Sequence, residues 1–317
     1  MRTPSLSGSI GTNDGGATFS PHNKGNKPVI RNALNLRALA ALAATATAFA
    51  AAPAFAQDTT AAEKEWPEDR YSLTVGVGGA YVPSYEGSDD YILTPIGVLF
   101  GRVGPVSFVT RGTSLAFDVI PEASDAPYAF TLGPVINLRL DRTTRIKDAR
   151  VRALGDFDPA VEVGVQAGVA KNGIFHQYDT LGVRLTYQKD VSDTHGSSIL
   201  TPAIEYGTPL STKTYVQLGL QAEHVGDGFA QTYFGVTPAG RLASGLPVYS
   251  ADGGWKNYRT SLFVAHSLTG ELRAPKLSLF GGLAYSRLLG DFKRSPIVSV
   301  AGDKNQFYGL LGLSYTF

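Results

Sequence analysis

The sequence contains no cysteine among its 317 residues, which excludes disulfides, thiolate metal sites and a thiol nucleophile. The chain also lacks an excess of positive or negative charge, because its 28 lysines and arginines are balanced by 27 aspartates and glutamates. Since nucleic-acid-binding proteins normally carry a basic excess, we expect no nucleic-acid partner. After residue 56 no stretch reaches the roughly 18 consecutive apolar residues of a membrane-spanning helix, which excludes a helical membrane protein.

Glycine and aromatic residues are abundant instead. The chain holds 36 glycines, 15 tyrosines and 16 phenylalanines, but one methionine, and only 17% of its residues are charged. Aromatic residues favour strands, whereas the long side chains that favour helices are few. The composition therefore predicts an all-β protein.

The N-terminal region reads as an export signal. A polar stretch, 1–28, precedes the basic segment Arg31–Arg37, the apolar run Ala38–Ala52 and an Ala-Phe-Ala site ending at Ala56. This order is typical of a secretory signal peptide with cleavage after Ala56, and the run is short and alanine-rich for a transmembrane helix. The long polar stretch suggests that translation starts near Val29, a hypothesis that N-terminal sequencing of the precursor would test.

Three regions follow from this interpretation. Residues 1–56 form the polar extension and signal peptide, residues 57–70 a polar periplasmic lead-in, and residues 71–317 the folded domain.

Apolar and polar or small residues alternate along most of the predicted strands. The last strand, Gln306–Phe317, shows one face with aromatic and leucine side chains and ends on Phe317. Soluble sandwiches alternate too, but these strands match tilted bilayer spans of roughly 9–11 residues and carry aromatics at their ends. The predicted fold is a transmembrane antiparallel up-and-down β-barrel, closed by the last strand because an unpaired edge in lipid is costly.

We predict about twelve strands, with ten or eleven as the alternative, since the third and fourth are short enough to form one bent strand. The predicted strands are Tyr71–Val82, Tyr91–Phe100, Val106–Thr110, Ser114–Val119, Tyr128–Leu140, Ala160–Ala170, Tyr178–Lys189, Ser198–Tyr206, Thr214–His224, Asn257–Leu268, Lys276–Leu288 and Gln306–Phe317.

Long and short connections then fall on opposite ends of the barrel, as in bacterial outer-membrane barrels. With both termini in the periplasm, the expected outer loops are Asp141–Pro159, Asp190–Ser197, Val225–Lys256 and Leu289–Asn305. The expected periplasmic turns are Gly101–Pro105, Ile120–Pro127, Lys171–Gln177, Gly207–Lys213 and Thr269–Pro275. The pattern indicates the outer membrane of a Gram-negative bacterium.

No residue pattern points to catalysis, a cofactor or a metal. The histidines after the leader show no ligand spacing and are expected to be structural or superficial; they are His176, His195, His224 and His266. Asp179, Asp193 and Ser267 lie near histidines in sequence, but a triad is recognised only by geometry. A lipid or peptide hydrolase at the rim is therefore the least favoured hypothesis.

Two groups of charges need an explanation. One group falls on the face that should line the lumen, where it predicts either an ion network that fills a narrow barrel or a selective pore; its members are Glu162, Arg184, Glu205, Glu223 and Arg259. The other is the arginine-rich segment 139–152, which fits either lipopolysaccharide phosphates or solvent.

Three sequence blocks carry a resemblance to a known family. They are Gly79–Ser88 with Tyr91 and Pro95; Thr232–Val236 with Ser244–Leu246; and Arg287–Asp291, Ser295–Val298, Gly302 and Gly309–Phe317. Together they resemble the MipA/OmpV family of MltA-interacting outer-membrane proteins over essentially the whole mature chain. Phe292–Arg294 and Ala239–Arg241 depart from the family pattern, which concerns loop contacts with partners and not the barrel.

The resemblance implies a non-enzymatic scaffold that links a lytic transglycosylase to a peptidoglycan synthase at the inner face of the outer membrane; other members are surface antigens or adhesins. It also implies lipid and lipopolysaccharide as surroundings, and assembly machinery that reads the strand ending at Phe317. A small solute pore and a surface adhesin remain the alternatives. The second and third blocks fall in expected outer loops or rim segments, whereas contacts with cell-wall enzymes must be periplasmic. Either the short turns and the N-terminal lead-in form the scaffolding surface, or that role is not general to the family.

Overall fold

The computed structural model describes residues 71–121 and 126–317. The predicted signal peptide, its cleavage site after Ala56, the lead-in 57–70 and the proposed start near Val29 lie outside the described residues. None of the helices in the described part is long and apolar enough to cross a bilayer.

Twelve antiparallel strands close into one barrel in chain order, with β1 beside β12, so the predicted all-β barrel of twelve strands is confirmed. The alternative of ten is wrong, because β3 and β4 are separate strands that pair from Ser107 opposite Asp118 to Arg111 opposite Ser114. The strands are β1 (Tyr71–Pro83), β2 (Tyr91–Val103), β3 (Val106–Arg111), β4 (Ser114–Asp118), β5 (Tyr128–Arg139), β6 (Ala160–Asn172), β7 (Thr180–Asp190), β8 (Ser198–Pro209), β9 (Thr214–Val225), β10 (Gly254–Ser267), β11 (Leu277–Leu288) and β12 (Asn305–Thr316).

The last strand closes the barrel, as its sequence predicts. β12 pairs with β11 on one side and with β1 on the other, where Val75 lies opposite Tyr315. The Phe317 amide donates to the Leu73 carbonyl at 2.9 Å. Leu313, Tyr315 and Phe317 all face outward. From Gly309 to Tyr315 the last strand thus pairs with a neighbouring strand on both sides, which closes the barrel wall.

The outer surface of the barrel is apolar. Val77 and Leu93 are each 67% exposed and Leu283 is 64% exposed, values that suit hydrocarbon and not water. Aromatic residues cluster at both ends of the strands, with Tyr81 stacked on Tyr91 at one end and Tyr315 against Phe317 at the other. The wall therefore has the banded exterior of a transmembrane barrel.

The connections differ sharply between the two ends. The turn end, which also holds Phe317, carries short connections such as Gly104–Pro105 and 210–213. The loop end carries 140–159, 226–253 and 289–304, which contain five short helices that the sequence did not predict. These are α1 (Ala149–Ala153), α2 (Asp227–Phe234), α3 (Pro238–Ser244), α4 (Gly290–Arg294) and α5 (Pro296–Ser299).

Several predicted boundaries are wrong by a few residues. The predicted turn Gly101–Pro105 shrinks to two residues, because Val103 still pairs with Val106 across Gly104, whose φ is 58°. Lys256, predicted in a loop, lies at a β-bulge of β10 between Trp255 and Asn257. Pairing across a tight turn or a bulge continues where side-chain alternation has already stopped.

Candidate functional site: a plugged, charged lumen

A buried ion network occupies the loop-end half of the lumen. Glu162 is fully buried, and its carboxylate accepts from Arg139 Nε at 2.5 Å, Asn137 Nδ2 at 2.7 Å and His195 Nε2 at 3.2 Å. β5 and β6 pair Asn137 with Glu162, so both side chains point inward at one level. A buried carboxylate needs such partners, because burying an unpaired charge is costly.

Lys256 forms a second centre of the same network. Its ammonium nitrogen lies 2.8 Å from the Glu86 carboxylate and 2.5 Å from Glu223 Oε2, and the residue is only 1% exposed. The β-bulge turns this residue inward beside Asn257, although neighbours in a regular strand face opposite sides. Two carboxylates thus hold one buried cation.

A third group of polar side chains lies nearer the middle of the barrel. Arg184 Nη2 donates to Glu205 Oε1 at 2.7 Å, and Arg111 Nη1 donates to Gln166 Oε1 at 2.8 Å. Arg184 and Glu205 come from neighbouring strands β7 and β8. The prediction that the charges singled out in the sequence face the lumen is confirmed for all five, Glu162, Arg184, Glu205, Glu223 and Arg259.

The wall formed by β1, β2 and β10–β12 fills its side of the lumen with apolar side chains. Ile96 and Phe280 are buried there, with Phe263 and Leu310 packed against them. Gly312 makes room, because a Cβ at that position would lie 2.4 Å from the Phe280 ring.

The loop end is covered by a plug, which we define as residues 140–159, 226–253 and 289–304. Phe229 is the first buried aromatic residue of α2. Arg139 Cζ and Lys256 Nζ each lie 4.8 Å from the centre of the Phe229 ring. Cation–π contacts of this kind attach the plug directly to the ion network. Around Phe229 the helices α2 and α4 bury an aromatic cluster that includes Tyr233, Phe234 and Phe292.

Parts of the three family-like sequence blocks meet at this plug. Tyr85 of the first block donates its hydroxyl to the Ala301 carbonyl, and burial raises the pKa of that hydroxyl. Ser295 of the third block donates to the Phe234 carbonyl of the second at 2.6 Å. A Cβ on Gly302 would lie 1.8 Å from the carbonyl oxygen of Gly87, so the backbones touch. These contacts pack the plug against the connection between β1 and β2.

Two cavities near the loop end of the lumen are small. Beneath the plug lies a cavity of about 40 Å³ beside Glu86 and Lys256, and a second of about 80 Å³ lies between Arg111, Gln166 and Gln188. Such volumes hold a few water molecules. The plug and the ion network therefore obstruct the loop end of the barrel.

The histidines do not assemble a catalytic or metal site. Ser267 is buried and donates to Thr269, whereas the neighbouring His266 faces outward and contacts Thr214. His195, the buried histidine, belongs to the Glu162 network, which sequence spacing did not reveal because its partners lie on other strands. No group of three potential metal ligands occurs in the described parts of the chain. The prediction of no enzymatic activity stays a prediction.

The arginine-rich segment of the first large loop divides between plug and surface. Arg142 is buried against the Phe157 ring, and Arg139 belongs to the ion network. Arg150 is exposed and pairs with Asp148, the N-cap of α1, and this hydrogen bond lowers the pKa of the Asp148 carboxyl. Only part of the predicted basic patch is therefore available to a ligand.

Comparison with known sequences identifies one family. A family profile described as MltA-interacting protein MipA matches residues 75–317, which is nearly all of the described barrel. No curated protein sequence matches the chain significantly.

Solved structures share the barrel architecture at low sequence identity. An outer-membrane channel from Pseudomonas putida F1 is 14% identical, with 84% of this chain and 100% of that chain covered and a TM-score of 0.44. The NanC porin is 9% identical, with 76% and 98% covered and a TM-score of 0.39. The trimeric form of OmpT from Vibrio cholerae is 9% identical, with 78% and 98% covered and a TM-score of 0.34. These likenesses concern the fold alone.

Proposed function

Because the chain belongs to the family of MltA-interacting proteins and folds as an outer-membrane barrel, we propose that it is a closed scaffold barrel. In this role it holds a lytic transglycosylase, together with a peptidoglycan synthase, at the periplasmic face of the outer membrane of a Gram-negative bacterium. The barrel itself performs no chemistry.

The observation that carries this proposal is the obstructed loop end of the lumen. Phe229 joins the plug to Arg139 and Lys256, and the cavities left below it measure about 40 and 80 Å³. A pore that passes a solute needs a continuous path, whereas a scaffold needs only a rigid wall and a surface for partners. Rigid filling of the lumen favours the scaffold.

We assign the partner surface to the turn end. Two of its turns are linked by backbone hydrogen bonds, with Leu272 N donating to the Thr212 carbonyl and Ser267 N to the Lys213 carbonyl, each at 2.8 Å. These bonds make the turns 210–213 and 268–276 one ordered surface. Phe175 in a neighbouring turn is 79% exposed, as aromatic anchors of protein interfaces often are before binding.

A pull-down from detergent-solubilised envelopes tests the assignment. The tagged full chain should enrich a lytic transglycosylase, and Phe175→Ser with Glu271→Ser in the turns should reduce the yield at least tenfold. Arg150→Ser with Lys147→Ser at the loop end is the matched control and should leave it unchanged. No enrichment by the unaltered chain would refute the scaffold, and equal loss in both variants would refute the turn-end surface.

A small solute pore is the second candidate, because polar side chains line the cavity of about 80 Å³ on most sides. It predicts steady, ion-selective conductance of the purified protein in planar bilayers, while the scaffold predicts none. A surface adhesin would use the exposed part of the plug, and binding of labelled cells or host matrix would reveal it.

Two further partners belong to the proposal. Arg150, exposed at the loop end, is suited to lipopolysaccharide phosphates once it leaves Asp148, and loss of lipopolysaccharide binding in Arg150→Ala is the test. The strand that ends at Phe317 is proposed as the segment read by the barrel-assembly machinery.

A further inference from the structure

Two guanidinium groups meet beside the cavity of about 80 Å³, and both line it. Arg184 Nη1 donates to Thr186 Oγ1 at 2.8 Å, and Arg111 Nη1 donates to Gln166 Oε1 at 2.8 Å. Thr186 and Gln166 lie opposite each other in the pairing of β7 with β6. Because the side chains of opposite residues start about 5 Å apart, their hydrogen bonds make the two cations neighbours.

One of these cations has no counter-ion of its own. Arg184 is paired with Glu205, whose carboxylate lies 2.7 Å from Arg184 Nη2. Arg111 binds a neutral amide and forms no ion pair within the described chain; Glu205 and Asp118 attract it only from beyond ion-pair distance, whereas Arg184 repels it. Asp118 is also engaged elsewhere, because its Oδ1 accepts from two backbone amides at 3.0 Å.

The other charged residues in the lining of this cavity have partners. They are Arg139 and Glu223. Arg139 Nε donates to Glu162 at 2.5 Å, and Glu223 Oε2 lies 2.5 Å from Lys256 Nζ. An excess of positive charge therefore remains on the side of Arg111, and burial makes such an excess costly.

Donors around the cavity lack acceptors as well. Three buried nitrogens in its lining have no hydrogen-bond partner in the described chain: Arg111 Nε, Arg184 Nε and Gln188 Nε2. Gln188 is only 7% exposed and lies two residues beyond Thr186 on β7, so it faces the same side of the sheet. Buried donors need acceptors. Water would supply acceptors without charge, whereas an anion supplies both.

The size of the cavity and its charge define the class of anion. A volume of about 80 Å³ holds a few water molecules, and an ion of the size of chloride takes up about the space of one of them. An extended organic acid does not fit. One cation without a counter-ion requires a monovalent anion, and N–H groups of guanidinium and amide are suitable donors to it.

We propose that the lumen binds one chloride-sized monovalent anion between Arg111, Arg184 and Gln188. The anion is a structural counter-ion that links β3 to β7 inside the barrel, so the stability of the barrel depends on chloride. This site is separate from the proposed turn-end surface for cell-wall enzymes, and it exists whether or not that surface binds them.

Urea unfolding of the full chain in phospholipid vesicles at constant ionic strength tests the site. Sodium chloride replaces sodium gluconate in steps, because gluconate is too large for the cavity. An anion that binds only the folded barrel should lower the unfolding constant about tenfold for each tenfold rise in chloride above its Kd. A midpoint that is the same at all chloride concentrations would overturn the proposal.

Two substitutions and a control assign the residues. Arg111→Gln should abolish the dependence on chloride, whereas Arg150→Gln, which removes an exposed arginine, should keep it. Equal dependence in Arg111→Gln and the unaltered chain would refute the site. Gln188→Leu keeps both guanidinium groups and removes one donor, so its chloride affinity should fall at least tenfold. An unchanged affinity would refute the part assigned to Gln188.

Bromide locates the anion directly and needs no variant, so this test holds even if Arg111→Gln does not fold. Crystals of the full chain grown in sodium bromide should show one anomalous-scattering peak between Arg111 and Gln188. Peaks confined to the outer surface of the barrel would overturn the proposal.

Discussion

Replacing Glu162 by glutamine should destabilise the barrel strongly. The carboxylate accepts from Arg139 through Nε at 2.5 Å and through Nη2 at 3.3 Å, and from Asn137 Nδ2 at 2.7 Å. Glutamine keeps one acceptor but turns an NH2 group towards these donors. Arg139 is then a buried cation that has lost its closest counter-ion.

Breaking a buried ion pair from one side costs about 3–5 kcal/mol. At about 1.4 kcal/mol per factor of ten, the ratio of folded to unfolded protein should fall by roughly two to four orders of magnitude. The matched variant Glu205→Gln also removes a partner of an arginine, but Glu205 retains 21% side-chain exposure. Water can solvate Arg184 there, so we expect a smaller loss, on the order of 1 kcal/mol.

Urea unfolding in phospholipid vesicles, followed by tryptophan fluorescence, measures both variants. A double variant, Glu162→Gln with Arg139→Gln, should lose less than the sum of the two single changes, because the second substitution removes the charge left unpaired by the first. Strict additivity, or a midpoint for Glu162→Gln equal to that of Glu205→Gln, would refute the account of the network.

Three further outcomes are expected. Gly302→Ala should destabilise the protein by about 1–3 kcal/mol, because its Cβ would lie 1.8 Å from the Gly87 carbonyl oxygen; unchanged urea unfolding would contradict the close packing of the plug. Replacing 227–250 by a short glycine-serine linker should produce ion conductance in planar bilayers that the full chain lacks, and a silent variant would mean that the lumen is closed below the plug. Deleting Phe317 should impair assembly while export and signal cleavage continue, measured by heat-modifiable migration of the envelope protein; normal assembly would argue against its role.

The strands could be predicted because one face of each strand is exposed on the outside of the barrel and the other face lines the lumen. Val163 and Val165 face outward while Glu162 and Gln166 are buried in the lumen, and this contrast repeats every second residue along the chain. The closing role of β12 followed from the same alternation. Closure at Phe317 needed no further information, since a barrel in lipid has no other way to satisfy its edge.

The plug and the partners within the network could not be predicted. Phe229 lies on α2 and Arg139 at the end of β5, and only the closed barrel brings them together. The inward orientation of Lys256 could not be predicted, because it depends on a β-bulge that interrupts the alternation of apolar and polar residues. Short helices in long loops have little periodicity of their own, so tertiary packing decides them.

The family-like blocks also change where a partner surface should be sought. Gly87 and Gly302 touch through their backbones, and Ser295 donates to the backbone carbonyl of Phe234. Packing alone therefore restricts the residues that fit at Gly302. A surface that binds a partner through a few side chains on turns leaves a much weaker pattern in the sequence. The blocks therefore contain residues that pack the plug. It follows that substitutions in the plug should alter stability and leave the capture of a cell-wall enzyme intact as long as the barrel folds, whereas substitutions near Phe175 should do the opposite.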